Sequence, residues 1–175
     1  MKKALVIAVI AAGLLAVSAA AQEPAYVGAQ KCSICHKTEK QGQQYPLWEQ
    51  SKHSKSLEAL SKPEAAEKAK ALGCTTPPPD SPMCLKCHSP LAAAPGAPEL
   101  KAEGVSCEVC HGAGSEYKKL SVMKDKDLAV KSGLVLYGSP DKIKAQCLKC
   151  HENAHGQSFD FDASWAKIKH AIPKG

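Results

Sequence analysis

The 175-residue chain contains no arginine; all 23 of its basic residues are lysine. Bidentate recognition of guanine and phosphate leans on the guanidinium fork. Its absence argues against nucleic acid as a partner, and a formal charge of +6 is too modest to restore that reading. Aromatic residues are scarce too, with two Trp, two Phe and four Tyr. Side chains alone would build a thin core, so something else has to supply buried apolar surface. Strand signals are confined to Leu134–Tyr137. Beyond the first residues no apolar run is long enough to cross a bilayer, so the mature chain is expected to carry no membrane span.

What is present begins with a leader. Lys2 and Lys3 precede the apolar run Ala4–Val17, and Ala19-Ala20-Ala21 offers a small-residue cleavage pattern. The run falls short of the roughly 20 residues a membrane anchor needs. Residues 1–21 therefore read as a secretory signal peptide cut before Gln22, and residues 22–175 as one domain exported to the periplasm or beyond. No cysteine stands directly after the cleavage point, which argues against a bacterial lipoprotein.

Cysteine is plentiful and ordered. Eight of nine fall in four frames: Cys32-Ser-Ile-Cys35-His36, Cys84-Leu-Lys-Cys87-His88, Cys107-Glu-Val-Cys110-His111 and Cys147-Leu-Lys-Cys150-His151. Each is C-x-x-C-H, the attachment signature of c-type haem. Two thiols three positions apart can add to the two vinyl groups on one porphyrin edge, and the adjacent imidazole becomes the proximal iron ligand. Zinc ribbons and disulfide scaffolds also use paired cysteines, but neither requires His after every pair. With seven His in the chain, four such coincidences have a chance of roughly three in a million. Four covalent haems are the expected cofactors, and their faces are the missing apolar mass. Their propionates would also shift the charge balance towards negative. Cys74 has no partner; an inert buried thiol, an intermolecular disulfide and a weak iron ligand are its alternatives.

Between the motifs the chain reads as mostly helical with much irregular structure. Residues 22–31 look extended, and helices are expected over Leu47–Lys62, from Ser61-Lys62-Pro63-Glu64 to Gly73, over Lys124–Ser132, from Ser139-Pro140 into the fourth motif, and over Asp162–His170. Thr75–Pro82 reads as a stiff loop and Leu91–Pro98 as an Ala/Pro linker. Three His remain to face the irons: His53, His155 and His170. Met83 and Met123 are the only Met after the leader. An iron with two strong protein ligands mainly moves electrons, whereas one with an open face can bind small molecules. Ala163 and Ala166 precede His170 on one helical face and would let a porphyrin lie flat there. His53 sits in the polar stretch Ser51–Lys55, where an exposed side chain and a ligand are both open readings.

Tyr26-Val-Gly28 before the first motif, Trp48 followed by His53, Gly104-Val-Ser-Cys107 through Gly114, and Phe159-Asp-Phe161 with Lys167-Ile-Lys-His170 together resemble tetrahaem cytochromes of the cytochrome c-554 family. The resemblance implies a small, mostly helical multihaem fold packed around haems in stacked pairs. It implies that His53 pairs with His111 and His170 with His151, and that the haem on His88 has no protein ligand opposite. One departure stands out: no His lies between His111 and His151 to cap the first haem. Two readings of Met123 stay open, a thioether ligand to that haem and a core residue after Leu120 and Val122. His155 reads as a surface or propionate-binding residue, or as a cap on the second haem or on a neighbouring molecule's first haem.

The expected function is periplasmic electron transfer between redox partners, periplasmic enzymes or membrane-bound quinone-linked cytochromes, and not catalysis. Lys118, Lys119, Lys124 and Lys126 are either a docking cluster or a solvated face. Two other functions compete: reduction of nitric oxide or nitrite at an open haem on His88, and assembly of subunits into an extracellular haem wire. The oligomeric state is left open.

Overall fold

The computed structural model describes residues 23–95 and 97–172; the expected leader lies outside them. Their helices are α1 (Ala29–His36), α2 (Gln44–Glu49), α3 (Pro63–Ala71), α4 (Pro82–His88), α5 (Cys107–His111), α6 (Leu120–Met123), α7 (Lys126–Lys131), α8 (Pro140–His151) and α9 (Phe161–Ile168). Short 3₁₀ turns link several of them, and no strand occurs among the described residues. Leu134–Tyr137 is extended but forms no ladder; the Leu134 N–H donates to the Ala129 carbonyl at 3.0 Å and the Val135 N–H to the His111 carbonyl at 2.9 Å.

Local chemistry sets these boundaries. Pro63 opens α3 and Pro140 opens α8, where a missing N–H costs nothing. Ser139, Asp125 and Asp160 cap α8, α7 and α9 by accepting from Lys142, Leu128 and Ala163 N–H. The helix expected over Leu47–Lys62 is broken after Glu49. Ser51 Oγ accepts from the His53 N–H, and Ser54 Oγ donates to the carbonyls of Glu49 and Ser51. These side chains compete with the helical ladder and turn the chain aside. The terminal helix stops at Ile168, so His170 lies past its end. Gln44 explains the exit, because its Nε2 donates to the Ala171 carbonyl at 2.8 Å and draws the tail towards α2.

The core is small. Leu91, Ala97 and Leu100 form its main cluster, with Tyr26, Ala94 and Val109 packed against it. The stretch that composition marks as a linker is thus part of the interior, because Leu91 and Ala97 face inward from their turns. Many apolar side chains stay exposed, among them Ile34, Leu72, Leu120 and Val135. Polar clamps do much of the long-range fastening. The Glu108 carboxylate, 2% exposed, accepts from Val27, Gly28 and Gly114 N–H, at 2.8 Å from Gly28 and 2.6 Å from Gly114. Glu103 accepts from the Ala29 N–H at 2.9 Å, so both carboxylates hold the start of α1.

Candidate metal centres

All four C-x-x-C-H motifs end helices: α1, α4, α5 and α8 each terminate at the motif His. Helical spacing brings each Cys pair to one face, with the imidazole in the last turn. No disulfide joins any of the nine cysteines. The motifs also meet one another. Cys107 lies beside Cys32, and that neighbour together with burial holds its thiol far above the usual range. Cys110 lies near Cys147, and burial raises both thiols. The Cys150 thiol is pushed up to about 12 by burial and by the neighbouring Cys87. Side by side, the attachment cysteines therefore run first motif, third, fourth, second.

Three motif imidazoles are oriented by their Nδ1 atoms. His88 Nδ1 lies 2.9 Å from the Ser56 carbonyl and His111 Nδ1 3.0 Å from the Val135 carbonyl. A carbonyl can only accept, so Nδ1 carries the proton and Nε2 keeps a free lone pair. His36 Nδ1 meets Gln44 Oε1 at 3.2 Å, and the amide is fixed in that sense because its nitrogen donates to Ala171. A held Nδ1–H is the usual support of a metal-binding imidazole.

The other imidazoles come to these in pairs. His53 stands opposite His151 with ring centres 6.1 Å apart, His155 opposite His88 at 6.1 Å, and His170 opposite His111 at 5.9 Å. An imidazole nitrogen binds a metal at about 2 Å, and with half of each ring added two opposed rings stand about 6 Å apart. The three spacings fit an iron held between two imidazoles. Among the described residues no three His, Cys, Asp or Glu converge as a cage for a bare ion. Opposed pairs suit a metal already carried in a planar macrocycle. Burial first, then neighbouring imidazoles, lowers His53 and His151 below their ordinary value. Burial likewise leads for His111, His155 and His170. The neutral ring is the form that ligates.

These pairs correct the sequence reading in two respects. His53 lies by the fourth motif and His170 by the third, the reverse of the implied pairing. The break after Glu49 carries His53 across to α8, and the early end of α9 turns His170 towards α5. His36 has no opposed imidazole among the described residues. Met123 ends α6, half-buried. Met83 is occupied elsewhere, since its sulphur accepts from the Cys74 thiol at 3.8 Å. The partnership of His155 and His88 was legible only as one alternative. Its single local signal was an Asn and a Gly flanking His155, the residues that tolerate a left-handed turn.

A family model described as cytochrome c554 and c-prime matches residues 31–112. Cytochrome c-554 of Nitrosomonas europaea is 30% identical over 157 residues, covering 81% of this chain. Both matches support the cytochrome c-554 family for this chain. It spans 63% of the length of that relative. No solved structure matches the chain. A cytochrome c family implies covalently bound haem c, and the described residues, helical and without strands, suit a cytochrome c fold. Among the described residues no helix is long and apolar enough to cross a membrane.

Proposed function

We propose that the chain is an exported electron-transfer protein that binds one haem c at each of its four motifs. Cys32 and Cys35, Cys84 and Cys87, Cys107 and Cys110, and Cys147 and Cys150 would form the thioethers. His36, His88, His111 and His151 would be the proximal ligands, with His53 and His170 opposite the last two. Haem iron supplies reversible one-electron chemistry. The chain's own residues do the rest: thioether-forming Cys fix each porphyrin, held Nδ1 protons aim His36, His88 and His111, and burial favours the neutral form of His53, His111, His151 and His170.

The observation that carries this reading is the continuous row of attachment cysteines, Cys32 by Cys107, Cys110 by Cys147 and Cys150 by Cys87. Centres held through that row would be edge to edge, in the order first, third, fourth, second. Electrons could then enter at one end and leave at the other. The mass of the mature holoprotein tests the reading directly. A protein beginning at Gln22 with four haems supports it; fewer haems, or an uncut leader, removes it. Redox partners would dock transiently. Lys118, Lys124 and Lys126 are exposed and available to them, whereas Lys119 is engaged by Glu116 at 2.6 Å.

The first haem has a special place in this scheme, because only a thioether is left to cap it. Met123→Ala is expected to abolish an iron–sulphur charge-transfer band and to lower the highest reduction potential of the set, since Met raises the potential of a haem. An unchanged spectrum would return Met123 to a packing role and leave the first iron open.

A further inference from the structure

We infer that His155 is the axial ligand opposite His88, so that the second haem is closed on both faces. This rests on the haem reading of the second motif. The ring centres of His88 and His155 are 6.1 Å apart, against 6.1 Å and 5.9 Å for the other two imidazole pairs, and all three are similarly tilted at 43° to 51°. Three different stretches of chain reach one separation, and that separation is what a bound iron requires.

The backbone around His155 is a second, independent observation. Asn153, His155 and Gly156 all have positive φ, at 50°, 56° and 73°. Left-handed geometry is unfavourable for a side chain such as His, and it persists where the surroundings over-determine it, commonly at functional sites. A solvated surface His four residues after a motif would have no reason to adopt it. Here the turn doubles back from α8, which ends in the fourth motif, and lays its imidazole over the second. His88 is ready on the other side. Its Nδ1 faces the Ser56 carbonyl, and Ser56 Oγ donates to the carbonyls of His88 and His53 at 2.7 Å. Lys68, Ala71 and Leu72 at the end of α3 form a wall against His155. Ala71 and Leu72 give that wall an apolar side suited to a porphyrin face.

The inference moves the open position within the molecule. With His53, His155 and His170 all engaged, the iron on His36 is the one with no imidazole opposite among the described residues. Small-ligand chemistry at His88 is thereby disfavoured.

The test is electron paramagnetic resonance and optical spectroscopy of the oxidised holoprotein, wild type against His155→Ala, with haem content by mass measured on both. The expected result is four haems in each protein, and exactly one additional high-spin haem per molecule in H155A. That signal should return to low spin on adding imidazole. H155M, which keeps a ligand of similar reach, should instead remain low-spin and, in a Met123→Ala background that removes the other candidate thioether, gain an iron–sulphur band. If H155A fails to accumulate, H155M alone decides, because only a ligating position can produce that band. A spectrum unchanged in H155A, or no new band in H155M in that background, overturns the inference and leaves His155 as a propionate-side residue. Loss of haem from the wild type would strike the reading of the motifs instead, so the two failures are distinguishable.

Discussion

Two regions of the molecule hold their imidazoles in opposite ways. Around α5 the protein itself does the fastening. Glu108 gathers N–H groups from Val27, Gly28 and Gly114, Trp48 Nε1 donates to the Val105 carbonyl at 2.8 Å, and Tyr117 and Tyr137 donate to the carbonyls of Gly112 and Cys110. Gln146 adds a bond from α8 to the Val109 carbonyl. The third motif is thus fixed by groups spread over most of the chain. The turn at Asn153–Gly156 has no such support: it is exposed and left-handed, and its backbone bonds are local. Order at the hub is written into hydrogen bonds, while order at the turn calls for a ligand to hold it. Rigidity and dependence on the cofactor are therefore divided between the third motif and the turn that faces the second.

Breaking the hub should give the largest effect. Glu108→Ala leaves two buried N–H groups, of Gly28 and Gly114, and the part-buried one of Val27 without acceptors, and each orphaned buried donor costs about 1–3 kcal/mol. A loss of about 3 kcal/mol is expected, which takes a large share of the stability of a domain this size. It would be read as a shift in the denaturant midpoint of the holoprotein. Glu108→Gln keeps part of the acceptor set and should recover part of the loss. A midpoint unmoved by both changes would mean that the haems, not the clamps, hold the first motif to the third.

Acid should separate the two regions without mutation. His53, His111, His151, His155 and His170 all lie below the ordinary value of 6.5, chiefly through burial. Below 6.5 the unfolded chain binds protons that the native chain does not, so stability is flat above 6.5 and falls as pH drops from there through the depressed values. Glu103 works against this, because burial raises it above 4.5 and its protonation relieves the native state. Five imidazoles outweigh one carboxyl. Lowering the pH from about 7.5 to about 5.5 should therefore destabilise the holoprotein. High-spin haem should appear first at the His88 centre, whose second ligand sits on the exposed turn. That early step should be missing from H155A.

The same division governs what could be read in the sequence. The motifs, the helix start at Ser139-Pro140 that runs into the fourth of them and the start at Pro63 were legible because each is a local pattern, whereas the short helices that end in the other three motifs were not anticipated. Local competition was harder to see: the serines at 51 and 54 look like ordinary helix surface until their hydroxyls are found on the backbone. Partnership between imidazoles was the least legible part: His155 over the second motif stood only as one alternative among several, and the other two pairs were implied in the reverse sense. Whether His53 faces His111 or His151 depends on where α2 stops, and His170 on a bond between Gln44 and Ala171, 127 residues apart. The buried role of Leu91 and Ala97 was hidden for a similar reason. Composition marks a flexible linker there, and only the tertiary contacts with Leu100 and Tyr26 turn it into core.

Gln44 offers the finest test of how the well-fastened region meets its metal. Its Oε1 accepts from His36 Nδ1–H and its Nε2 donates to the Ala171 carbonyl, so one amide serves the first proximal ligand and the tail that carries His170. The two contacts differ in kind. The bond to the imidazole raises the electron density of the ring, which favours ferric iron, whereas the bond to Ala171 only restrains the chain. Gln44→Ala should therefore raise the potential of the His36 haem slightly while costing about 1 kcal/mol of stability. Gln44→Glu keeps an acceptor for His36 but loses the donor to Ala171. It should hold the potential at or below that of the wild type and still loosen the tail, seen as faster amide exchange over residues 169–172. If both variants moved the potential equally upward, the amide would be acting on the iron through the position of His170 and not through the proton on His36.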